Sequence, residues 1–286
     1  MTSHPPSADS TALPATMPRF EASELRGLER LAVPLLGAWN RSGLAKRLVY
    51  LFVRYVSHIW IQGVIRNRLR ELGTEHVDGL DPSRGVLLVA NHRTFWDMYI
   101  ATSVLETHTS FIERLYFPVR ARFFYDNLVG ILVNGAVSGG SMWPPMFEGF
   151  GRQRLNRVGL EQVAHVLSER GALVGIHPEG TRNKGPDPLE LLKARGGIGR
   201  VLKECHPDVV VLPYFLTGIS NDLPAEIRRN FRGAGRRGPP IALHWGRPIR
   251  VGDLDLDRAP VVVARDLLAQ VRELGVAIRE AELPDP

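Results

Sequence analysis

Val86-Leu-Leu-Val-Ala-Asn-His-Arg-Thr-Phe-Trp-Asp97 passes from a continuous apolar run, through the polar pair Asn91-His92, to an acidic residue of the kind that opens helices. A short run without polar alternation suits a strand covered on both faces, as in a parallel sheet with helices on either side. The pattern recurs downstream. Residues 160–167 have helical apolar spacing ending before Gly171, and 172–176 form a second apolar run that also ends in a polar loop, His177-Pro-Glu-Gly-Thr-Arg-Asn183. Residues 189–204 read as a helix loosened by Gly196, Gly197 and Gly199, 209–213 as a third strand, 241–245 as a fourth and 261–280 as a closing helix. Helices alternating with short apolar strands predict an α/β fold, a mostly parallel central sheet flanked by helices, with its site at the carboxyl ends of the strands.

Two of those strand ends carry ionisable residues. Asp97 lies too far around a helix to share a face with His92, but a strand-to-helix turn between them lets the carboxylate return toward the imidazole. A carboxylate on one ring nitrogen fixes the tautomer and raises the basicity of the other, which is the arrangement an oriented general base requires. A hydroxyl is the natural group for such a base to deprotonate. At the second strand end, Glu179-Gly180-Thr181-Arg182 combines a flexible glycine with a guanidinium able to grip phosphate oxygens bidentately. Neither HExxH nor GxSxG occurs, and His177 beside His92, Asp97 and Glu179 has no ligand spacing behind it, so neither a metal centre nor a nucleophile-elbow hydrolase is expected.

The chain surrounding these loops has 286 residues, 44% hydrophobic and 23% charged, enough for one catalytic-size domain with appendages and unlike collagen, coiled coil or low-complexity sequence. Cys205 is the single cysteine, which excludes an intrachain disulfide and Cys-rich metal sites. Residues 1–20, rich in Pro, Ser, Thr and Ala without a basic start and apolar core, read as a flexible tail and not a signal peptide. The formal net charge is +6, which calls for a polyanionic partner. Between Leu31 and Arg70 there is no acidic residue, while Arg41, Lys46, Arg47, Arg54, Arg66, Arg68 and Arg70 are all basic. Arg47, Arg54, His58, Gln62 and Arg66 recur at helical spacing as a polar seam on an apolar cylinder, with Trp39, Tyr50, Tyr55 and Trp60 interleaved. The charge-free runs are too short to span a bilayer, so 21–72 reads as N-terminal amphipathic helices lying at an anionic membrane surface, or as core-packing helices with their charges in water. Arg228, Arg229, Arg232, Arg236 and Arg237 around Phe231 form a second basic cluster, suited to phosphates of lipid or RNA, but no nucleic-acid motif accompanies it.

Asn91-His-Arg-Thr-Phe-Trp-Asp97 resembles the NHxxxxD box, and Pro178-Glu-Gly-Thr-Arg182 the PEGTR box, of the glycerolipid acyltransferases that include the 1-acylglycerol-3-phosphate acyltransferases. Lys193 with Gly196, and Val211-Leu212-Pro213, resemble that family's downstream elements, so the similarity runs from about Val77 to Pro248. The resemblance implies that His92 deprotonates a lysophospholipid hydroxyl, that Asp97 orients His92, and that Glu179, Gly180, Thr181 and Arg182 form part of an acceptor phosphate site, with Lys193 a further substrate contact. It implies an acyl-CoA or acyl-carrier-protein thioester as co-substrate, no cofactor, and a peripheral position on the cytoplasmic face of a membrane. Thr94 stands where the family often has Ser, and His177 where it usually has Phe. The family's second box, a glycine followed by an apolar stretch and a phosphate-binding arginine, falls in the long interval between the first two, with Gly130 or Gly151 as the glycine and Arg152, Arg154 or Arg157 as the arginine. Arg152 and Arg154 are expected to face Arg182. The domains then run 1–20 (tail), 21–72 (membrane-associating helices) and 73–286 (catalytic). A catalytically silent lipid-binding protein with the same fold is the rival reading.

Overall fold

The computed structural model describes residues 16–233 and 238–281. Three helices come first, α1 (Glu29–Arg41), α2 (Gly43–Phe52) and α3 (His58–Ile65), followed by β1 (Leu69–Leu72). The unit that opened the sequence reading follows as β2 (Val86–Ala90) and α4 (Asp97–His108). Between the two boxes lie β3 (Arg114–Tyr116), β4 (Val119–Arg120), α5 (Ala121–Phe124), α6 (Leu128–Ser138), β5 (Pro145–Met146) and α7 (Gln153–Leu167). The remainder is β6 (Ala172–Ile176), α8 (Gly197–Glu204), β7 (Val210–Thr217), α9 (Leu223–Asn230), β8 (Ile241–Trp245), β9 (Ile249–Arg250) and α10 (Pro260–Glu280).

Seven strands form one sheet in the order β1-β8-β7-β2-β6-β3, with β9 antiparallel on β7. β7, β2, β6 and β3 run parallel, and β8 reverses against β7 and carries β1 parallel to itself. The sheet is therefore mostly parallel in a mixed α/β fold. Every residue of β2 is buried, as its uninterrupted apolar run requires for a strand between two helical layers. Registry places Val89 opposite Ile176, so the loops after β2 and β6 leave the sheet side by side.

Several elements depart from the sequence expectations. The expected helix over 189–204 is helical only from Gly197, because the preceding backbone is engaged elsewhere: Leu192 N donates to Glu179 and Arg195 N to the Pro178 carbonyl. β7 continues to Thr217, past Pro213, whose carbonyl accepts from Gly246 N. β1, at the end of the segment 21–72 expected to be membrane-associating, pairs with β8 in the sheet. Of the expected tail, residues 1–15 lie outside the described residues, but the Pro18 carbonyl accepts from Gln162, and Phe20 packs edge-on to Trp143 and Phe147.

α2 and α3 join through a π-helical turn, Val53–Ser57, into one helical rod. This rod, Gly43–Ile65, is long and apolar enough to cross a membrane by length and composition, contrary to the expectation from its charge spacing. It is nevertheless laid against β3 and α4. Lys46 on its inner face is buried, donating to Asn40 Oδ1 and the Leu115 carbonyl, with Nζ 3.7 Å from the Tyr116 ring centre. Burial holds that ammonium's pKa well below the usual lysine range. The polar seam also turns partly inward. His58 Nδ1 is 2.7 Å from Ser103 Oγ on α4, and Arg54 reaches Tyr50 at 2.6 Å. At the C-terminal end of the rod, Arg68 and Glu226 form a fully buried ion pair at 2.5 Å. Cys205, just after α8, is a buried free thiol whose pKa is pushed up to about 12 by burial and then by Glu204.

Candidate active site

The loop after β2 turns sharply because its polar groups have fixed partners. The Asn91 side chain bonds both backbone groups of Leu216 on β7, donating to its carbonyl at 2.9 Å and accepting from its N–H at 3.0 Å. Asp97, the first residue of α4, is buried and folds back over the turn: Oδ2 accepts from Arg93 N at 2.7 Å and Thr94 N at 2.9 Å, and Oδ1 from Thr94 Oγ1 at 2.5 Å. Thr94 thus supplies the hydroxyl that a serine would supply there. His92 Nδ1 lies 3.2 Å from Asp97 Oδ2. Burial works to raise the Asp97 pKa, but hydrogen bonding from His92, the neighbouring imidazoles and Thr94 outweigh it and hold the carboxyl below its ordinary value. An ionised Asp97 only accepts, so Nδ1 of His92 carries the hydrogen and Nε2 is the nitrogen left for a substrate.

His177, at the end of β6, stacks on His92 with ring centres 3.9 Å apart and planes within 8°. Burial and then the charge of His92 lower its pKa to about 3, so the platform is a neutral ring. His92, Asp97 and His177 offer ligand atoms within 4.8 Å of one another. Both Asp97 oxygens already accept hydrogen bonds from the turn, and one is shared with His92 Nδ1.

The second loop makes corrections to the expected phosphate site. Glu179 is buried and bridges two segments, Oε1 accepting from His92 N and Oε2 from Leu192 N, each at 2.7 Å. Its carboxylate is a tether between the His92 and Leu192 backbones. Gly180 has a φ of +64°, and a Cβ there would stand 2.7 Å from Cδ of Arg195, so both backbone sign and space call for glycine. Thr181 is half-buried, and Arg182 is exposed, with Nη1 donating to Asn221 Oδ1 at 3.3 Å. The same Asn221 oxygen accepts from Phe95 N at 2.9 Å, linking Arg182 to the first box. Lys193 is exposed on the segment that Glu179 holds.

Arg152 and Arg154 are not brought to this turn. Arg152 is buried, ion-paired with Glu29 at 2.5 Å and 4.7 Å from the Phe147 ring centre. Arg154 pairs with Glu21 and, at 2.8 Å, with Glu24. Both neutralise acids of the N-terminal segment. The structure instead brings Arg120, whose Nη2 donates to the Gly180 carbonyl at 3.2 Å, and Arg195, which packs on Gly180. No sequence signal marks either. Arg120 sits on a two-residue strand with no periodicity, and Arg195 lay inside the expected helix. In the other basic cluster Arg229 pairs with Glu226 at 2.6 Å, and Arg236 and Arg237 lie outside the described residues.

No curated protein matches the sequence significantly. Among solved structures, the fold is similar to a 1-acyl-sn-glycerophosphate (LPA) acyltransferase, PlsC, from Thermotoga maritima, with 15% identity and a TM-score of 0.46 over 92% of this chain and 87% of that one. The model of the family described as Acyltransferase matches residues 68–217, a stretch that contains both boxes, the His92–Asp97 pair and the whole of β7. That match spans more than half of the chain, and the protein belongs to the acyltransferase family.

Proposed function

We propose that the protein moves a fatty acyl group from an acyl-CoA or acyl-carrier-protein thioester to the hydroxyl of a lysophospholipid, with 1-acylglycerol-3-phosphate as acceptor and phosphatidic acid as product. The observation that carries this reading is the His92–Asp97 pair set beside the Gly180 turn, which is touched by Arg120 and Arg195 and followed by Arg182. Nε2 of His92 takes the proton of the acceptor hydroxyl as its oxygen attacks the thioester carbonyl. The new C–O ester bond forms, the C–S bond breaks, and the imidazolium returns the proton to the leaving thiolate. Asp97 keeps the ring oriented and balances its transient charge. Arg182, with Thr181, Arg120, Arg195 and Lys193 around it, grips the acceptor phosphate. The N-terminal helices rest peripherally on the cytoplasmic face of an anionic membrane, from which the acceptor is drawn, with no cofactor.

Release of free thiol from an oleoyl thioester, with and without 1-acylglycerol-3-phosphate, tests the reading. Acceptor-dependent release is expected, reduced at least about 10²-fold in a folded His92→Ala protein. Equal turnover by that variant defeats the base assignment. Release with glycerol-3-phosphate or another lysophospholipid, and none with this acceptor, moves the headgroup assignment alone.

A further inference from the structure

α6 carries no charged residue, and the run from Asn127 to Phe147 has none either. Its sequence, LVGILVNGAVS, has polar side chains only at Asn134 and Ser138, which are buried on its inner side, so the face turned outward is apolar, as in helices that meet lipid. Leu128 and Leu132 are each 64% exposed, Val129 is as open, and nothing lies within 4 Å of the position a Cβ would take on Gly135. α1 presents a matching stripe of Leu28, Leu31, Leu35 and Trp39, with Leu35 71% exposed.

The two helices are tied together at both ends. At the start, Leu28 N donates to Asp126 Oδ1 at 3.1 Å. At the finish, Trp39 Nε1 donates to the Gly139 carbonyl and Asn40 Nδ2 to the Gly140 carbonyl, each at 2.9 Å. They therefore run in the same direction with ends in step. Both sit on the loop after α6: Trp143 closes on Gly37 of α1, and Asn134 on the inner side of α6 reaches Met142. The stripes opposite these contacts are the exposed ones, so the two apolar faces look out together. The formal charge around them is net cationic: Arg41, Arg47 and Arg122 are exposed against the exposed Asp126, whereas Glu29, Glu21 and Glu24 are paired with Arg152 and Arg154.

We infer that α6 is a second bilayer-contacting element, forming with α1 one apolar platform that seats in the headgroup–acyl boundary of an anionic membrane. Apolar faces edged by arginine suit that boundary, and a contiguous patch of this kind is unusual on a surface that meets only water. The inference extends the membrane contact of the proposed function from residues 21–72 into a segment lying between the two boxes. Phe124 of α5 stacks on Phe95 of the first box at 6.1 Å, and Phe123 beside it packs on Gly130 of α6, so α5 links the platform to the loop that carries His92.

The test is co-flotation of the full-length protein with vesicles of equal parts phosphatidylcholine and phosphatidylglycerol, read without substrate, so that failure of the acyl-transfer reading leaves it intact. Leu128→Asp with Leu132→Asp is expected to weaken vesicle binding at least about tenfold, with unchanged circular dichroism, while Val261→Asp, an exposed apolar site outside the platform, leaves it unchanged. A bimane on Val129→Cys is expected to be quenched by lipids brominated high in the acyl chain. Undiminished binding by the folded double variant, an unquenched bimane, or no binding by the wild type overturns the inference. A wild-type dimer in solution that the double variant dissociates, without vesicle binding, overturns it in favour of a second copy of the chain.

Discussion

Around His92 each side chain has a separable task, and the stack with His177 is the most directly testable. An unfolded imidazole takes its proton near 6.5, whereas the folded His177 is held to about 3. Between these values the unfolded chain binds more protons, so this residue costs stability as pH falls from about 6.5 toward 3. His177→Phe keeps a flat ring against His92 and removes the titration. Its urea midpoint should therefore drop less than the wild type's between neutral and mildly acidic buffer, and equal drops would show that the buried imidazole is not the acid-sensitive group. Arg182 works on the acceptor alone in this scheme. Arg182→Ala is expected to raise the acceptor KM about tenfold or more while thioester use at saturating acceptor changes little; a fall in kcat with KM unchanged would take the guanidinium out of phosphate binding.

At the scale of elements, the buried pair between Arg68 and Glu226 fastens the start of β1 to α9. The same carboxylate accepts from Ser220 N and Oγ, so it also fixes the turn that carries Asn221 and, through it, Arg182. Glu226→Gln leaves a buried guanidinium without its counter-charge and should cost about 3–5 kcal/mol, visible as a lowered melting temperature. Legibility divides along similar lines. β2 and β6 were readable because an unbroken apolar run bounded by glycine or polar loops has few other uses, and the start of α4 because Asp97 follows such a run after a short polar turn. The helix over 189–196 was misread because its amides answer to Glu179 and Pro178, partners that only the fold supplies. His92 and Asp97 stood out through their spacing, but Arg120 reaches Gly180 from a distant segment and Arg195 from a stretch whose pattern reads as helix. The misplacement of Arg152 and Arg154 has the same cause: their partners, Glu29, Glu21 and Glu24, are more than a hundred positions upstream.

Over the whole molecule, exposed apolar side chains gather on the N-terminal helices and α6 and exposed arginines on the N-terminal helices, while the sheet and the inner face of α10 are buried. If the anionic surface is met there, wild-type vesicle binding should weaken steeply as ionic strength rises through the range in which the screening length contracts to about 8 Å and below. Flotation at increasing salt measures this, and salt-independent binding would assign the attachment to apolar contact alone. Glu106, half-buried on α4, is a whole-molecule acid–base sensor of the opposite sign to His177. Burial lifts its pKa to about 7 against the pull of Arg54, so stability should decline as pH rises from about 4.5 to 7, and Glu106→Gln should flatten that decline. The seclusion of Cys205 has a use at this scale. The reaction proposed here liberates a thiol, and the sole cysteine of the chain is shielded and held protonated, so a thiol-trapping dye reads product against a dark protein. With substrate omitted, the same dye becomes a clock for global opening, because Cys205 is labelled only as fast as the fold around α8 comes apart.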